Sequence, residues 1–467
     1  MPRTQRSRNA VPASIHGPRI GFLLCVLALV LIGFVMVYSA GSISNINNGV
    51  DALKSLTDQV MYAVFGALIA FAIYRFVPVS IWRTKWLWAA LALLVVVILL
   101  TALVGVDNYG AKRWLRVGPV TIQVSEFAKI VFALVSARIY TDFVSGEISG
   151  RRCALGFTLL VLVPLALIYK TQSDLGTTMI CIVAVLAVLW YGELPIGFIA
   201  IILVIIVVFG LIAMFGTGYR ADRWSFLNPW DDGQGGYGSG YNIMHSYFAF
   251  SEGGIFGVGL GNGHEKYQYL FASDSDFVFA VIGEELGMVG CLAVIALFLG
   301  VLYTGTLIAR SARDDFSMMI AGGLTIALVF QAFLNIACAI GVFPTTGKPL
   351  PFISSGGSSI LASLIMVGLI LSVSRDAASS DEFDRRRSSL RVVRREEDGT
   401  GDSPRDAARS GARRSTRGRS YDGGRGQRAT SNRTESRTAA GRPSSRRRLT
   451  TRSASFWVPT GTRSPAR

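Results

Sequence analysis

The chain has 467 residues, of which 51% are hydrophobic and only 16% charged, with a mean hydropathy of +0.45 and a formal net charge of +16 at pH 7. Soluble domains carry about 25% charged residues, so this composition excludes an ordinary soluble fold. The five cysteines (Cys25, Cys153, Cys181, Cys291 and Cys338) have no paired spacing, which argues for small apolar core residues and against a disulfide scaffold or a metal cluster.

A helix that crosses a bilayer needs roughly 20 apolar residues, and about ten stretches approach that length. In chain order they are Ile20–Tyr38, Val60–Phe76, Trp86–Val104, Phe127–Tyr140, Cys153–Tyr169, Thr177–Tyr191, Ile196–Phe215, Phe277–Ile308, Met318–Val342 and Ser358–Val373. The fourth is short, and the eighth is long enough to be kinked or to begin outside the hydrocarbon. The first is too long for a cleaved signal, and Tyr38-Ser39-Ala40 lacks a small residue at the first cleavage-site position. The pattern predicts an all-α polytopic membrane protein. A basic N-terminus over 1–19 precedes a ten-helix membrane domain over 20–374, which includes a large extracytoplasmic loop over 216–276, and a tail follows over 375–467.

Basic residues near span ends are retained in the cytoplasm. Arg3, Arg6, Arg8 and Arg19 precede the first span, and the even-numbered connections carry Arg75, Arg83 and Lys85, then Arg138, Arg151 and Arg152, then Arg310 and Arg313. With ten spans, both termini are expected in the cytoplasm. The tail is rich in Arg, Ser, Gly and Thr and cannot bury enough apolar surface to offset chain entropy, so disorder is expected. Its charge suits anionic lipid, docking of cytoplasmic partners, or a merely solvated segment. Nucleic-acid binding is not expected, because aromatic interleaving and a folded module are lacking.

The polar, glycine- and proline-punctuated segments fall in odd-numbered connections, which places them on the outer face. The first holds Lys112, Arg113, Trp114 and Arg116, then Glu126 and Lys129 at the head of a span. Arginine and lysine around a tryptophan suit phosphate oxygens or simple interfacial anchoring. Glu126 and Lys129 share a helix face and read as an ion pair, structural or functional. The long connection carries Arg220 and Arg223 and many glycines, read as close packing or flexibility because the setting of a nucleotide loop is missing. His245 and His264 have no partners at metal spacing and read as ordinary polar residues. Asp276 ends this connection in Ser273-Asp274-Ser275-Asp276, where a carboxylate at a helix mouth needs a task or a partner. Glu284 and Glu285 follow about two turns inward. The last segment, Pro344–Ser359, suits a re-entrant loop beside a cavity and adds Lys348.

These segments, in this order, resemble the SEDS family (shape, elongation, division and sporulation), whose members include FtsW, RodA and SpoVE. The resemblance rests on Lys112-Arg113-Trp114, Gln123-Val124-Ser125-Glu126-Phe127-Ala128-Lys129, Gln172-Ser173-Asp174-Leu175-Gly176-Thr177, Ser275-Asp276-Phe277 with Glu284-Glu285-Leu286-Gly287, and Pro349–Ser359. It implies a ten-helix enzyme that polymerises lipid II, moving the growing glycan from undecaprenyl pyrophosphate to the 4-hydroxyl of the incoming lipid II. It places the essential carboxylate on Asp276 and implies substrate contacts by Lys112, Arg113, Trp114, Glu126, Lys129, Asp174, Lys348 and Ser354. A class B penicillin-binding protein is the implied partner, and the wording of the last segment together with the basic tail favours the division branch.

The chain departs from the family's pattern at Val124, Ser173 and Ser355, and at Phe271-Ala272-Ser273-Asp274. If that last stretch is extended, Asp274 and Asp276 lie on the same side. The chemistry asks for a base on the acceptor hydroxyl, assigned to Asp276, and for cations at the leaving pyrophosphate, assigned to Lys112, Arg113 and Lys129. Arg220 and Arg223 are further candidates, and a divalent cation (Mg or Mn) is left open. The rival readings are a flippase for lipid-linked precursors, a polymerase of the elongation branch, and a division-site scaffold that docks divisome proteins through its tail.

Overall fold

The computed structural model describes residues 16–108, 111–118, 120–204, 226, 228–231 and 234–389, with backbone only at 106–108, 111, 117, 120 and 378–389. Among the described residues, seven helical segments are long and apolar enough to cross a membrane. They are α1 (His16–Asn47), α2 (Lys54–Phe76), α3 (Lys85–Val104), the unit Gly150–Gln172, α10 (Val278–Arg310), α11 (Asp315–Ala339) and α12 (Gly357–Ser389). Within the unit Gly150–Gln172, α5 (Gly150–Phe157) and α6 (Val163–Gln172) are joined by a π turn, Thr158–Leu162. The fourth expected span is α4 (Ser125–Val144), which carries Glu126, Lys129, Arg138 and Asp142. The sixth is α7 (Leu175–Tyr191), with 17 residues. The seventh begins as α8 (196–204) and continues outside the described residues, which also omit Arg220 and Arg223. A helix over Tyr241–Gly253, α9, lies in the long connection.

Burial explains how apolar helices can have both an inside and an outside. In α1, Phe22, Val26, Leu29, Gly33 and Met36 are buried, whereas Leu23, Leu24, Leu27 and Leu31 are exposed. Both faces are apolar because the outer one meets lipid rather than water. α11 and α12 form the centre, with 78% and 83% of their most apolar stretches buried. α2 packs along α12, α1 along α10, and α7 and α10 against α11.

The all-α polytopic expectation holds, with two details that the sequence reading did not include. The segment after α3 forms a three-stranded antiparallel sheet in the order β1-β2-β3: β1 (Val106–Asn108), β2 (Ala111–Val117) and β3 (Val120–Gln123). Trp114 pairs with Gln123 and Leu115 with Ile122. Valine, isoleucine, threonine and tryptophan favour strands, and Gly118, at φ +63°, begins the turn between β2 and β3. The second detail is at the start of the tail. α12 passes the expected boundary at Arg375 and runs to Ser389. The sequence offers no Gly or Pro there, and Asp381 and Glu382 stand four residues before Arg385 and Arg386. The tail from Leu390 lies outside the described residues.

α10 bends at Gly287, whose φ of 67° and ψ of −166° leave the helical region. The bend frees the carbonyls of Glu284 and Glu285 and the amides of Met288 and Val289. The glycine-rich segment after α9 takes up all four: Val258 and Gly259 N–H donate to Glu284 and Glu285 oxygens at 2.9 and 3.0 Å, and Met288 and Val289 N–H donate to Gly254 and Ile255 oxygens at 2.9 and 3.2 Å. A broken helix is tolerated in a membrane protein when neighbouring protein re-satisfies its backbone in this way. The glycines therefore serve close packing. A Cβ on Gly253 would press into the Gly283 carbonyl and lie 2.8 Å from Glu284 Cα. Gly253→Val is expected to lower stability by about 1–3 kcal/mol, as overpacking does. Gly197→Ala, with no atom within 4 Å, is the neutral control in the same thermal melts.

Arg19 and Arg83 lie at the bundle end away from α11's C-terminus and α12's N-terminus. Arg83 pairs with Asp314 at 2.8 Å, Arg19 donates to Ser374 at 2.9 Å, and Val79 N–H donates to Asp376 at 3.1 Å.

Candidate active site

At the other end, α4, α7, α10 and α12 begin, and α6 and α11 finish. Two loops meet there, 273–277 and 344–356. Residues 271–277 form a tight turn rather than an extended strand: Ala272 has φ +56°, and its carbonyl accepts from Ser275 and Phe277 N–H, both at 3.1 Å. Asp274 and Asp276 consequently face different neighbours. An Asp274 oxygen lies 4.0 Å from the Cβ position of Gly41 in α1, and an Asp276 oxygen 3.6 Å from that of Gly347. The expectation that both carboxylates share one side fails because the backbone turns.

Three successive carbonyls of the Asp276 loop are held by the facing elements. Ser355 N–H donates to Asp274 at 2.8 Å, Ser354 Oγ donates to Ser275 at 2.5 Å, and Asn335 Nδ2 donates to Asp276 at 2.8 Å. Asn335 Nδ2 also donates to the Lys348 carbonyl at 2.7 Å, so one α11 side chain ties together the loops that carry the carboxylate and the lysine. Gln59 of α2 fixes the second loop by donating to the Ser354 carbonyl at 3.1 Å. Sequence reasoning missed Gln59, Gln331 and Asn335. Polar side chains buried in apolar spans were the signal available.

Beneath these loops lies a buried network of two carboxylates and two ammonium groups. Lys348 Nζ is 2.6 Å from Asp174 and 3.6 Å from Glu126. Lys129 Nζ is 2.7 Å from Glu126 and also donates to Gln331 Oε1. All four charged side chains are at most 1% exposed. Asp174 caps α7, accepting from Thr177 N–H at 2.9 Å and Thr177 Oγ1 at 2.8 Å. Burial would raise the Asp174 carboxyl, but Lys348 and the Thr177 N–H outweigh it and hold it below the usual carboxylate range. Gly176 makes room for Lys348: a Cβ there would sit 2.7 Å from the lysine Cγ.

Asp276 differs from its buried neighbours in lacking a direct ionic contact among the described residues. Loss of hydration, with Lys348 and Arg113 opposing it and Asp274 and Asp174 adding to it, pushes its carboxyl up from 3.8 to about 6. Such a group is ionised at neutral pH and still basic enough to accept a proton. Arg113 flanks the site, donating to the Gln172 and Ser173 carbonyls at 2.9 and 3.1 Å.

Of the sequence-predicted residues, Glu126, Lys129, Asp174 and Lys348 form the network, Ser354 and Asp276 lie on the meeting loops, and Arg113 borders them. Lys112 donates instead to the Leu103 carbonyl of α3 at 3.2 Å, and Trp114 sits in β2. Neither has a hydrogen bond to this network among the described residues. His264, read from sequence as an ordinary polar residue, lies with Glu252 and Glu284 in a group whose ligand atoms are within 4.8 Å of one another.

Residues 20–379 match the family described as cell cycle protein, FtsW/RodA/SpoVE. The chain belongs to this family. It is 33% identical over 378 residues to the probable peptidoglycan glycosyltransferase FtsW of Mycobacterium tuberculosis, covering 80% of this chain and 71% of the relative. It is also 33% identical over 372 residues to the stage V sporulation protein E of Bacillus subtilis, covering 77% and 97%. A chain solved under the description "Structural coordination of polymerization and crosslinking by a peptidoglycan synthase complex" superposes with a TM-score of 0.61 at 26% identity, covering 77% of this chain and 98% of that one. The FtsW/RodA/SpoVE match ends within α12, so it contains the Asp276 loop, the charge network and the loop that bears Lys348.

Proposed function

We propose that the chain is a peptidoglycan glycosyltransferase of the FtsW type in which Asp276 is the base. The carrying observation is a carboxylate on a loop whose three consecutive carbonyls are pinned, where loss of hydration raises the Asp276 carboxyl to about 6. The 4-hydroxyl of the incoming lipid II gives its proton to the Asp276 carboxylate. Its oxygen bonds to the anomeric carbon of the growing strand as the bond from that carbon to undecaprenyl pyrophosphate breaks. The pyrophosphate leaves with the bonding electrons. Immobilising the base before reaction avoids reorganisation at the moment of transfer.

Arg113 is the cation best placed for the leaving pyrophosphate, because Lys129 is committed to Glu126 and Gln331. Lys348 acts on Asp276 through charge. Gln172, whose buried amide has no hydrogen-bond partner among the described residues, joins the substrate contacts. The active end faces outward and both termini face the cytoplasm, a reading supported by the basic contacts at the opposite end. The class B penicillin-binding protein that crosslinks the strands is the proposed partner, the division septum the proposed location, and the tail a docking segment for divisome proteins.

Lipid II movement and glycan product, measured separately in proteoliposomes with and without the transpeptidase, test this reading. Glycan polymer made from lipid II supplied on the outer face is the expected result. Lipid II movement with no polymer under any condition would instead establish the flippase.

A further inference from the structure

We propose that Glu252, His264 and Glu284 form a site for one divalent transition-metal ion, of the Mn2+ or Zn2+ class, that clamps the segment after α9 to the head of α10. The three residues come from separate pieces of chain: the last turn of α9, the following loop, and the first part of α10. One oxygen of each carboxylate and one imidazole nitrogen lie within 4.8 Å of one another. His264 Nδ1 and Glu252 Oε2 are 3.2 Å apart, which matches the separation of about 3.3 Å between ligands that each sit about 2.0 Å from a tetrahedral ion. The exposed Glu252 side chain is free to swing toward Glu284 and shorten the remaining separations, which are at most 4.8 Å.

Glu284 supplies the observation that points to a ligand. It is 0% exposed, and its Oε1 accepts from the backbone N–H of His264 and Glu265. Its Oε2 is buried with no hydrogen-bond partner among the described residues. A carboxylate oxygen left bare in this way is costly, and buried charges are ordinarily paired or bound to metal. The neighbouring lysine and histidine are committed elsewhere: Lys266 to Glu285 at 2.6 Å and His245 to Glu265 at 2.6 Å. A Cβ at Gly263 would lie 2.8 Å from Oε2, so glycine keeps the approach open. The same N–H that grips Oε1 belongs to the residue that carries the imidazole, and the site is thereby assembled before an ion arrives.

Two carboxylates and a neutral imidazole balance a divalent charge. A nitrogen ligand favours Mn2+, Co2+ or Zn2+ over Mg2+, which prefers oxygen and retains its water. His264 and Glu252, with side chains 74% and 44% exposed, leave the remaining coordination positions to solvent. The ion would hold the Gly253–Glu265 segment, whose backbone fills the bend of α10, at His264, shortly before the loop that carries Asp276.

The test uses the full chain purified in detergent, stripped with a chelator, and titrated with Mn2+ by the loss of its free electron-spin-resonance signal. Visible absorption of bound Co2+ serves as a second probe. The expected result is saturable binding of one ion per chain that equal Mg2+ does not displace. Glu284→Gln and His264→Ala should each weaken it by more than about 100-fold, since even outer-shell changes at metal sites cost about 10–100-fold. Asp276→Asn should bind as the unaltered chain does. Absence of saturable binding, undiminished binding in both ligand variants, displacement by equal Mg2+, or loss of binding in Asp276→Asn would each overturn the proposal. If Glu284→Gln fails to fold, the exposed His264 decides alone.

Discussion

Asp276→Asn is expected to lose lipid II polymerisation by about 10^2–10^4-fold, the usual contribution of a positioned general base, while the protein itself becomes more stable. Both effects have one cause. The Asp276 carboxyl is raised from 3.8 to about 6 by loss of hydration, so its ionised form is disfavoured in the folded chain. A raised carboxyl contributes stability that is fully present below the unfolded value and is lost as pH rises through the folded one. Between pH 7 and 8 the charged aspartate therefore costs on the order of 2–3 kcal/mol, which the neutral asparagine recovers. Polymerisation by the unaltered chain should fall on the acid side of about pH 6, and the melting temperature of Asp276→Asn should exceed its own at pH 7.5. Normal polymer yield from purified Asp276→Asn would remove the proposed base. An inactive variant with an unchanged melt would place the defect in geometry rather than charge.

The stability gain separates what the sequence could reveal from what it could not. Asp276 was legible because a carboxylate at the edge of an apolar run is costly enough to need a reason. The spans were legible for the same kind of reason, since lipid forces each backbone group to be satisfied within a helix. The roles of Asn335 and Gln331 were not legible. Both are polar residues in an apolar stretch, and their partners are carbonyls and side chains brought close only by folding: the loop carbonyls of Asp276, Lys348 and Pro349 and the ammonium of Lys129. The glycine-rich segment after α9 left close packing and flexibility both open; the structure shows close packing, and its hydrogen bonds into the bend at Gly287 are encoded in no local spacing. The contact of Lys112 was not legible either. Its place in a basic cluster suggested phosphate, but its side chain reaches back to the Leu103 carbonyl at the open C-terminus of α3, where a helix end leaves carbonyls unpaired.

Lys348→Met is expected to destabilise the chain by about 3–5 kcal/mol, the cost of removing one partner from a buried ionic network. Methionine keeps the stem that passes Gly176, so the change isolates the ammonium. Without it, Asp174 loses its 2.6 Å partner and Glu126 keeps only Lys129. Replacing both partners by neutral residues is far less costly than orphaning one, so Lys348→Met combined with Asp174→Asn should recover most of the loss in thermal and denaturant unfolding. The pH profile distinguishes an electrostatic role from a merely structural one. Lys348 opposes the upward shift of Asp276, and Asp174 adds to it. The single variant should therefore move the acid limb of polymerisation above pH 6, and the double variant should return it toward its original position. Recovery of stability with the acid limb still displaced would show that the double variant repairs the fold without restoring the field at Asp276. A single variant as stable as the unaltered chain would mean that Lys348 is not what keeps these carboxylates ionised.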